Sequence, residues 1–349
     1  MNRNCRALLP FAFAAVITAG CSGAGAPPAG PPAAAPLMDA QPPAFSPLAK
    51  APKGTLFAAA GISGGTVTAF KPPYKNHAFA VMQGFTAPFD AALDTKSDLF
   101  VADPYAMMTL WFYPYRKHKT FIGNSGFGAV LVDSKNVVFA ADTGGSGGVY
   151  EIAPPYKKVT REIDDQFTNY PSALAMDAHH VLFIVNQLGG NVAYYPSPYS
   201  RASGAVTGIA PAASAQAIAI DSKDRLFAID GGSQVDIYPK PYGKNGSITI
   251  ETGIDSAAAI FIDKKDQLFV ANQAYTASGY GSVAIYKPPY SKPFAVIHGK
   301  GISDPESLTT DEQGDLFVGN LHGGAAGGFV SMFKPPYTKG YTSLTSGIS

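Results

Sequence analysis

The dipeptide Leu-Phe recurs through this chain at a nearly constant interval, and that interval limits the fold more than any other feature. It stands at Leu56-Phe57, Leu99-Phe100, Leu182-Phe183, Leu226-Phe227, Leu268-Phe269 and Leu316-Phe317, with Val138-Phe139 as a variant. The Phe-to-Phe spacings are 43, 39, 44, 44, 42 and 48 residues. Self-similarity at such a period belongs to solenoids, propellers and other arrays, in which each repeat buries its apolar face against the next.

Within each unit the order of segments is constant. The fifth reads AIAID, SKDR, LFAID, GGSQ, VDIYPKPYGKNG, SITIETG. A short run apolar on both faces (217–220) precedes a polar turn (221–225). A second run (226–229), a Gly-Gly turn, a third run (235–238) and an alternating segment (247–252) follow. Short strands separated by Gly, Pro and Asp turns fit this pattern, and no helical periodicity of useful length interrupts it. Four short antiparallel strands per 40–45 residues is the composition of a propeller blade. The first run is small or aliphatic, as a strand lining a crowded axis requires. The segment SPLAKAPKGTLFAAA (46–60) aligns without a gap on ESLTTDEQGDLFVGN (306–320), so the first unit is complete. The expectation is an all-β, seven-bladed β-propeller of four-stranded antiparallel blades over 47–349, with six blades as the alternative.

A second phrase punctuates the repeat. FKPPY (70–74, 333–337), YKPPY (286–290), YPSPY (195–199), YPKPY (238–242), IAPPY (152–156) and FYPY (112–115) each follow the third strand. Proline has no N–H and a fixed φ, so it ends ladder pairing and begins the turn into strand four. The residue before the break (Phe70, Ile152, Tyr195, Tyr238, Tyr286, Phe333) is expected in the core. The motif tyrosines Tyr74, Tyr115, Tyr156, Tyr199, Tyr242, Tyr290 and Tyr337 are expected to seal each blade against its neighbour, with the hydroxyl on a turn carbonyl. A ring of exposed, ligand-stacking aromatics is the competing reading.

Ahead of the repeats, Arg3 and Arg6 precede an apolar stretch from Ala7 to Thr18, too short to span a bilayer and suited to a secretory signal (1–20). Thr18-Ala19-Gly20-Cys21 resembles the lipobox of bacterial lipoproteins; the resemblance implies cleavage before Cys21 and lipidation of its thiol. Ser22 after it resembles outer-membrane sorting. Residues 21–46 are Ser, Gly, Ala and Pro with almost no charge, a tether that cannot bury enough surface to fold. Export and lipid anchoring to the bacterial cell envelope, at the outer membrane, thus follow as one expectation, with the membrane as a partner through the anchor. The formal net charge of +1 and the lack of a basic block make nucleic acid a poor partner.

The segment from Ala175 to Asn186 and its copies resemble NHL-repeat propellers and the broader gluconolactonase-like group. The resemblance covers nearly all of 46–349. It implies the propeller fold and leaves function open, because the shared residues are folding residues. Lactonases of that group hold a metal through an early Glu-Gly-Pro motif, which is missing here. The Trp-Phe-Thr-Glu signature of virginiamycin-type lyase propellers is missing too, and the one tryptophan is Trp111.

Meander geometry sorts the loops onto two faces. One collects the Pro-Pro-Tyr turns with Asp94, Asp133, Asp177, Asp221, Asp263 and Asp311, which are expected to brace tight turns. The other collects a ring at the end of strand two: Asp103, Asp142, Asn186, Asp230, Asn272 and Asn320. This ring at the channel mouth is the candidate ligand-binding site. Oxygen donors of this kind suit Ca or Mg, or a polyol; alternatively each residue only hydrogen-bonds its own loop. His322, on the same face, is the one acid–base candidate. The functional expectation is a membrane-tethered binding platform for a glycan, peptide or protein at the cell envelope. The alternative is a metal-dependent, lactonase-like hydrolase acting at the Asp/Asn ring.

Overall fold

The computed structural model describes residues 51–60, 64–120, 126–143, 147–211, 216–243, 247–273, 281–299, 301–324 and 327–348. Seven antiparallel sheets follow one another along the chain as meanders, at 56–85, 90–120, 127–163, 171–207, 218–250, 257–298 and 305–344. These are blades 1 to 7. Blades 2 to 7 have four strands; blade 1 has three among the described residues, because the segment aligned with its inner strand, 46–50, lies outside them. The arrangement is the seven-bladed propeller anticipated from the repeat, not the six-bladed alternative.

The strand order explains the burial. The Leu-Phe strand is the second of each blade, sandwiched within its sheet, and Phe57, Phe100, Phe139, Phe183, Phe227, Phe269 and Phe317 are all fully buried or nearly so. Outer strands are polar, as in Lys117–Thr120. Inner strands of neighbouring blades lie side by side around the axis, and in blades 3, 4, 6 and 7 each carries a β-bulge near its start. The bulge increases local twist and fits the strand to the narrow end of the wedge.

The core is divided into seven apolar clusters, one at each blade-to-blade interface. One of them joins Leu56, Ala58, Phe70 and Tyr74 of blade 1 to Phe317, Val330, Met332 and Leu344 of blade 7. The ring is therefore closed by packing. Polar contacts reinforce the seam: Thr66 Oγ1 donates to the Gly347 carbonyl at 3.1 Å, and Asn76 Oδ1 accepts from the Thr345 and Ser346 amides.

The Pro-Pro-Tyr phrase is the element that repeats most faithfully. In all seven copies the bond before the last proline is cis, and the tyrosine lies in the left-handed region, at φ 50–68°. Each tyrosine amide donates back across the turn, as from Tyr74 to the Lys71 carbonyl at 2.9 Å. Each ring is buried and meets the Leu-Phe phenylalanine of the preceding blade edge-on, at centroid distances of 4.7–6.0 Å and interplanar angles of 67–87°. The edge-to-face arrangement suits the ring quadrupoles. The hydroxyls of Tyr74, Tyr115, Tyr290 and Tyr337 donate to turn carbonyls of their own blade at 2.8–3.0 Å. Those of Tyr156 and Tyr242 reach the turn aspartates Asp94 and Asp177 of neighbouring blades. Burial pushes the hydroxyls of Tyr242, Tyr290 and Tyr337 up to about 12. The motif tyrosines are interblade seals, and the exposed-aromatic reading does not hold.

Candidate functional site

Loops between strands two and three, with the blade connections, meet at one mouth of the ring. Six strand-two residues anticipated there are brought to equivalent places. Five of them, Asp103, Asn186, Asp230, Asn272 and Asn320, tie their blade to the connection that leads into it. Asp103 Oδ2 accepts from the Thr86 and Ala87 amides at 2.7 and 3.0 Å. Asn186 Oδ1 accepts from Asn169 N at 3.2 Å, Asn272 Oδ1 from Asp255 N at 3.1 Å, and Asn320 Oδ1 from Ser303 N at 2.8 Å. Asp230 Oδ1 accepts from Ala210 N at 2.7 Å. In blade 3 the Asp142 carboxylate accepts from the Tyr150 hydroxyl at 3.3 Å. The Asn amides are used as well: Asn320 Nδ2 donates to the Val318 carbonyl and to Ser331 Oγ. All but Asp230 are buried. Five of the six are thus brackets holding the connecting loops, and all six accept N–H or O–H donors.

Nearer the axis, Gln216 of blade 5 reaches past blade 6 to blade 7. Its Oε1 accepts from the Leu308 amide at 2.8 Å and its Nε2 donates to the Leu308 carbonyl at 3.2 Å. Gln273 Nε2 donates to Glu306 Oε1 at 3.0 Å. Asp90, on the inner strand of blade 2, accepts from Val130 N and Ala91 N, both at 2.9 Å. The residue is half-buried, with much protein packed around the carboxyl, and this burial pushes it up to about 7. Sequence reasoning passed over Asp90 because it occupies a place where blades 3 to 6 have alanine (Ala129, Ala173, Ala217, Ala259), so no repeat marked it.

The same mouth carries apolar side chains that no motif marked. Tyr105 is 76% exposed and Leu188 71% exposed, each two residues beyond a ring position. Met107 and Tyr170 are exposed close by; the Tyr170 carbonyl accepts from Gln187 N, beside Leu188. The only signal available in the sequence was an apolar residue in a loop of otherwise small and polar ones. The side chain of His322 lies outside the described residues, as does part of both Gly-x-Ser-x-Gly matches at 61–65 and 144–148.

On the opposite face the turn aspartates are braces, as expected. In Asp94, Asp133, Asp177, Asp221, Asp263 and Asp311, Oδ1 accepts from the amides two and four residues on, at 2.7–3.0 Å. Asp177, His179 and Asp224 converge there closely enough to suggest a metal centre. Lys240 Nζ already sits among them, 2.9 Å from Asp224 and 3.5 Å from Asp177, while His179 Nδ1 is 3.0 Å from Asp224. The ammonium supplies the positive charge a cation would bring, so the cluster is an ion-pair network.

No family model and no curated protein sequence matches the chain. Solved structures do. A streptogramin B lyase superposes with a TM-score of 0.58 at 7% identity, over 72% of this chain and 83% of the lyase. The virginiamycin B lyase of Staphylococcus aureus gives 0.59 at 9%, over 75% and 85%. The hydrazine synthase of Kuenenia stuttgartiensis gives 0.52 at 14%, over 62% and 64%. At these identities the likeness shows that the chain shares the β-propeller fold with them, and the fold alone.

Proposed function

We propose that the protein is an exported, lipid-anchored propeller whose mouth face is a binding platform for a peptide or protein partner at the cell envelope, with glycan as the less favoured ligand. One observation carries the choice: the ring's carboxylates and amides accept donors from the protein itself, five of them from backbone amides and Asp142 from the Tyr150 hydroxyl, while Tyr105 and Leu188 project from the same surface. Exposed tyrosine beside aliphatic side chains suits the apolar and aromatic groups of a polypeptide. A hydrolase at the ring has less support, because a metal would have to displace N–H donors that hold the loops in place. Anchoring rests on the lipobox resemblance at Cys21 and the tether that follows. Among the described residues no helix is long and apolar enough to cross a membrane.

The test is site-specific photo-crosslinking in intact cells. A photoreactive amino acid at 105 or 188 is expected to give a discrete protein adduct, and the same probe at Lys71, on the opposite face, none. Adducts at neither mouth position, or equally at 71, would reject the platform. Anchoring is tested separately: Cys21→Ser is expected to move the protein from the membrane fraction to the soluble fraction.

A further inference from the structure

The double-proline phrase carries one regularity that the interblade seals do not use. A basic residue stands one or two positions beyond the tyrosine in every copy: Lys75, Arg116, Lys157, Arg201, Lys292 and Lys339, with Lys244 of blade 5 outside the described residues. The tyrosines are buried, whereas all six described bases are exposed. Among the described residues none of the six forms an ion pair. The turn needs its prolines and its left-handed tyrosine, and nothing in its geometry needs a cation.

The rest of the exposed charge follows the same division. Every described lysine and arginine belongs to a turn between strands one and two, to a Pro-Pro-Tyr turn, or to an outer strand leaving one; among the described residues none lies in the loops of the mouth. The aspartates of the Pro-Pro-Tyr face are all buried or half-buried. Glu312 is the one exposed acid there among the described residues, and Lys53 pairs with it at 2.8 Å. The other exposed acids, Glu162, Asp164, Glu251 and Asp255, stand in outer-strand ends and connections toward the mouth. A formal net charge of +1 thus conceals a disc with one cationic face and one acidic face.

We propose that the Pro-Pro-Tyr face docks on an anionic lipid surface, each blade contributing a basic residue to a circle of contacts. Shape selects this partner over a charged polymer. A single-stranded polyanion is followed by a groove lined with bases. Here the bases stand around a closed ring, one per blade, at equivalent turns. A plane of headgroups meets such a circle at all points together, whereas a chain laid across it meets few. Each lysine or arginine held near an anionic leaflet adds attraction, which decays within a screening length of about 8 Å at physiological salt. The turn tips are apolar as well, with exposed prolines such as Pro72-Pro73, Pro288-Pro289 and Pro335-Pro336. Phe112 and Phe294 are exposed beside them, and Lys287 Nζ lies 4.0 Å from the centre of the Phe294 ring. Aromatic rings with ammonium groups alongside suit the headgroup layer.

Docking in this sense turns the mouth away from the lipid, and the acids on that side are repelled by the same surface. Tyr105 and Leu188 then face outward. What the mouth presents to a partner rests on the function proposed above; the lipid contact rests only on the charge of the opposite face. The contact is reversible by salt, because at about 1 M the screening length falls to about 3 Å. A salt-washed membrane fraction therefore reports anchoring at Cys21 alone.

The test is co-sedimentation of the full chain carrying Cys5→Ser and Cys21→Ser with phosphatidylcholine vesicles, with and without phosphatidylglycerol. Two variants share one net charge. The first combines Lys75→Gln, Lys157→Gln, Lys292→Gln and Lys339→Gln. The second combines Gln83→Glu, Gln166→Glu, Thr207→Glu and Ser233→Glu, all exposed on the mouth side. The apolar stretch 7–18 is common to every chain, so the differences report the two faces. Binding is expected to require phosphatidylglycerol and to fall at least about tenfold in the first variant, with the second within about twofold of the parent. Equal loss in both variants, or no preference for phosphatidylglycerol, overturns the proposal. So does lysine-dependent binding to soluble dextran sulfate without binding to the vesicles, which would assign the face to a polymer. If the first variant fails to fold, an environment-sensitive dye decides. On Lys339→Cys in the same chain its emission is expected to shift to the blue with anionic vesicles, and on Ser233→Cys to stay unchanged. The reverse pattern, or no shift at either, also overturns it. These chains lack Cys21 and the assay does not involve a mouth ligand, so failure here is separate from failure of the anchor or of the platform.

Discussion

Phe317 of the last blade meets Tyr74 of the first edge-on, with ring centroids 4.7 Å apart and planes at 67°. This is the shortest of the seven Phe–Tyr seals, and it is the one that closes the ring. The other six join neighbours that the chain already connects by a short loop. Here the partners are 243 positions apart, as their numbers show, and only folding brings them together.

Truncating either ring is expected to cost about 3–5 kcal/mol, as for a buried aromatic in a packed core. Phe317→Ala, Tyr74→Ala and the double variant form a cycle. Chemical denaturation is expected to give a coupling of about 0.5–1.5 kcal/mol. Tyr74→Phe keeps the ring and removes only the hydroxyl bond to Gly54, so a loss of about 1 kcal/mol is expected. A coupling near zero would mean the rings are neighbours without mutual stabilisation.

The turn aspartates give a cleaner contrast. Asp221 Oδ1 accepts from the Lys223 and Arg225 amides, at 3.0 and 2.8 Å. Asp221→Ala leaves both donors without their acceptor and is expected to destabilise by about 1–3 kcal/mol. Asp221→Asn retains an oxygen in that place and is expected to lose less, the remainder being the ion pair with Arg225. Equal losses from the two substitutions would assign the effect to charge instead of turn bracing.

These turns also show how far the sequence could be read. The Leu-Phe interval and the double-proline phrase were enough for blade number, strand order and the burial of Tyr195, Tyr238 and Tyr286, because each depends on residues close in the chain. The turn aspartates were legible for the same reason: donor and acceptor lie two and four residues apart. Asn186 was not, since its partner is Asn169 N in the preceding connection, and a backbone amide leaves no mark on composition. Asp or Asn at a strand end reads equally well as a ligand donor and as a loop bracket. Tyr105 and Leu188 were illegible for another reason: exposure of a loop side chain depends on which neighbours stand beside it.

The bracket assignment makes its own prediction. Asn320→Ala removes the acceptor for Ser303 N and the donor to Ser331, and is expected to lower stability by about 1–3 kcal/mol. Adding Ca²⁺ or Mg²⁺ is expected to leave the melting temperature of the unaltered protein unchanged. A site filled to 100 times its dissociation constant would add about 2.7 kcal/mol, which melting would detect, and such a shift abolished by Asn320→Ala would restore the ring as a metal site.

Asp90 sets the last prediction, a dependence of stability on pH. Its carboxyl is pushed up to about 7 by burial, against two backbone amides that favour the charged form. An unfolded aspartate titrates near 3.9. Between about pH 4 and 7 the folded chain therefore holds a proton that the unfolded chain releases. Linkage then requires stability to fall as pH rises through this window and to level off above it. Because the residue is only half-buried, the loss is set at about 1–2 kcal/mol, well below the full value of the shift. Asp311 and Asp98 are raised in the same direction by burial, and Glu312 is lowered by its pairing with Lys53, so the whole-protein profile is a sum. The contribution of Asp90 is isolated by difference. Asp90→Asn keeps an acceptor for Val130 N and cannot titrate. Melting temperatures of the two proteins are expected to differ little at pH 4.5 and to diverge by a few degrees by pH 8, with the asparagine variant the more stable. Parallel profiles across that range would show that Asp90 is charged throughout and that solvent reaches it.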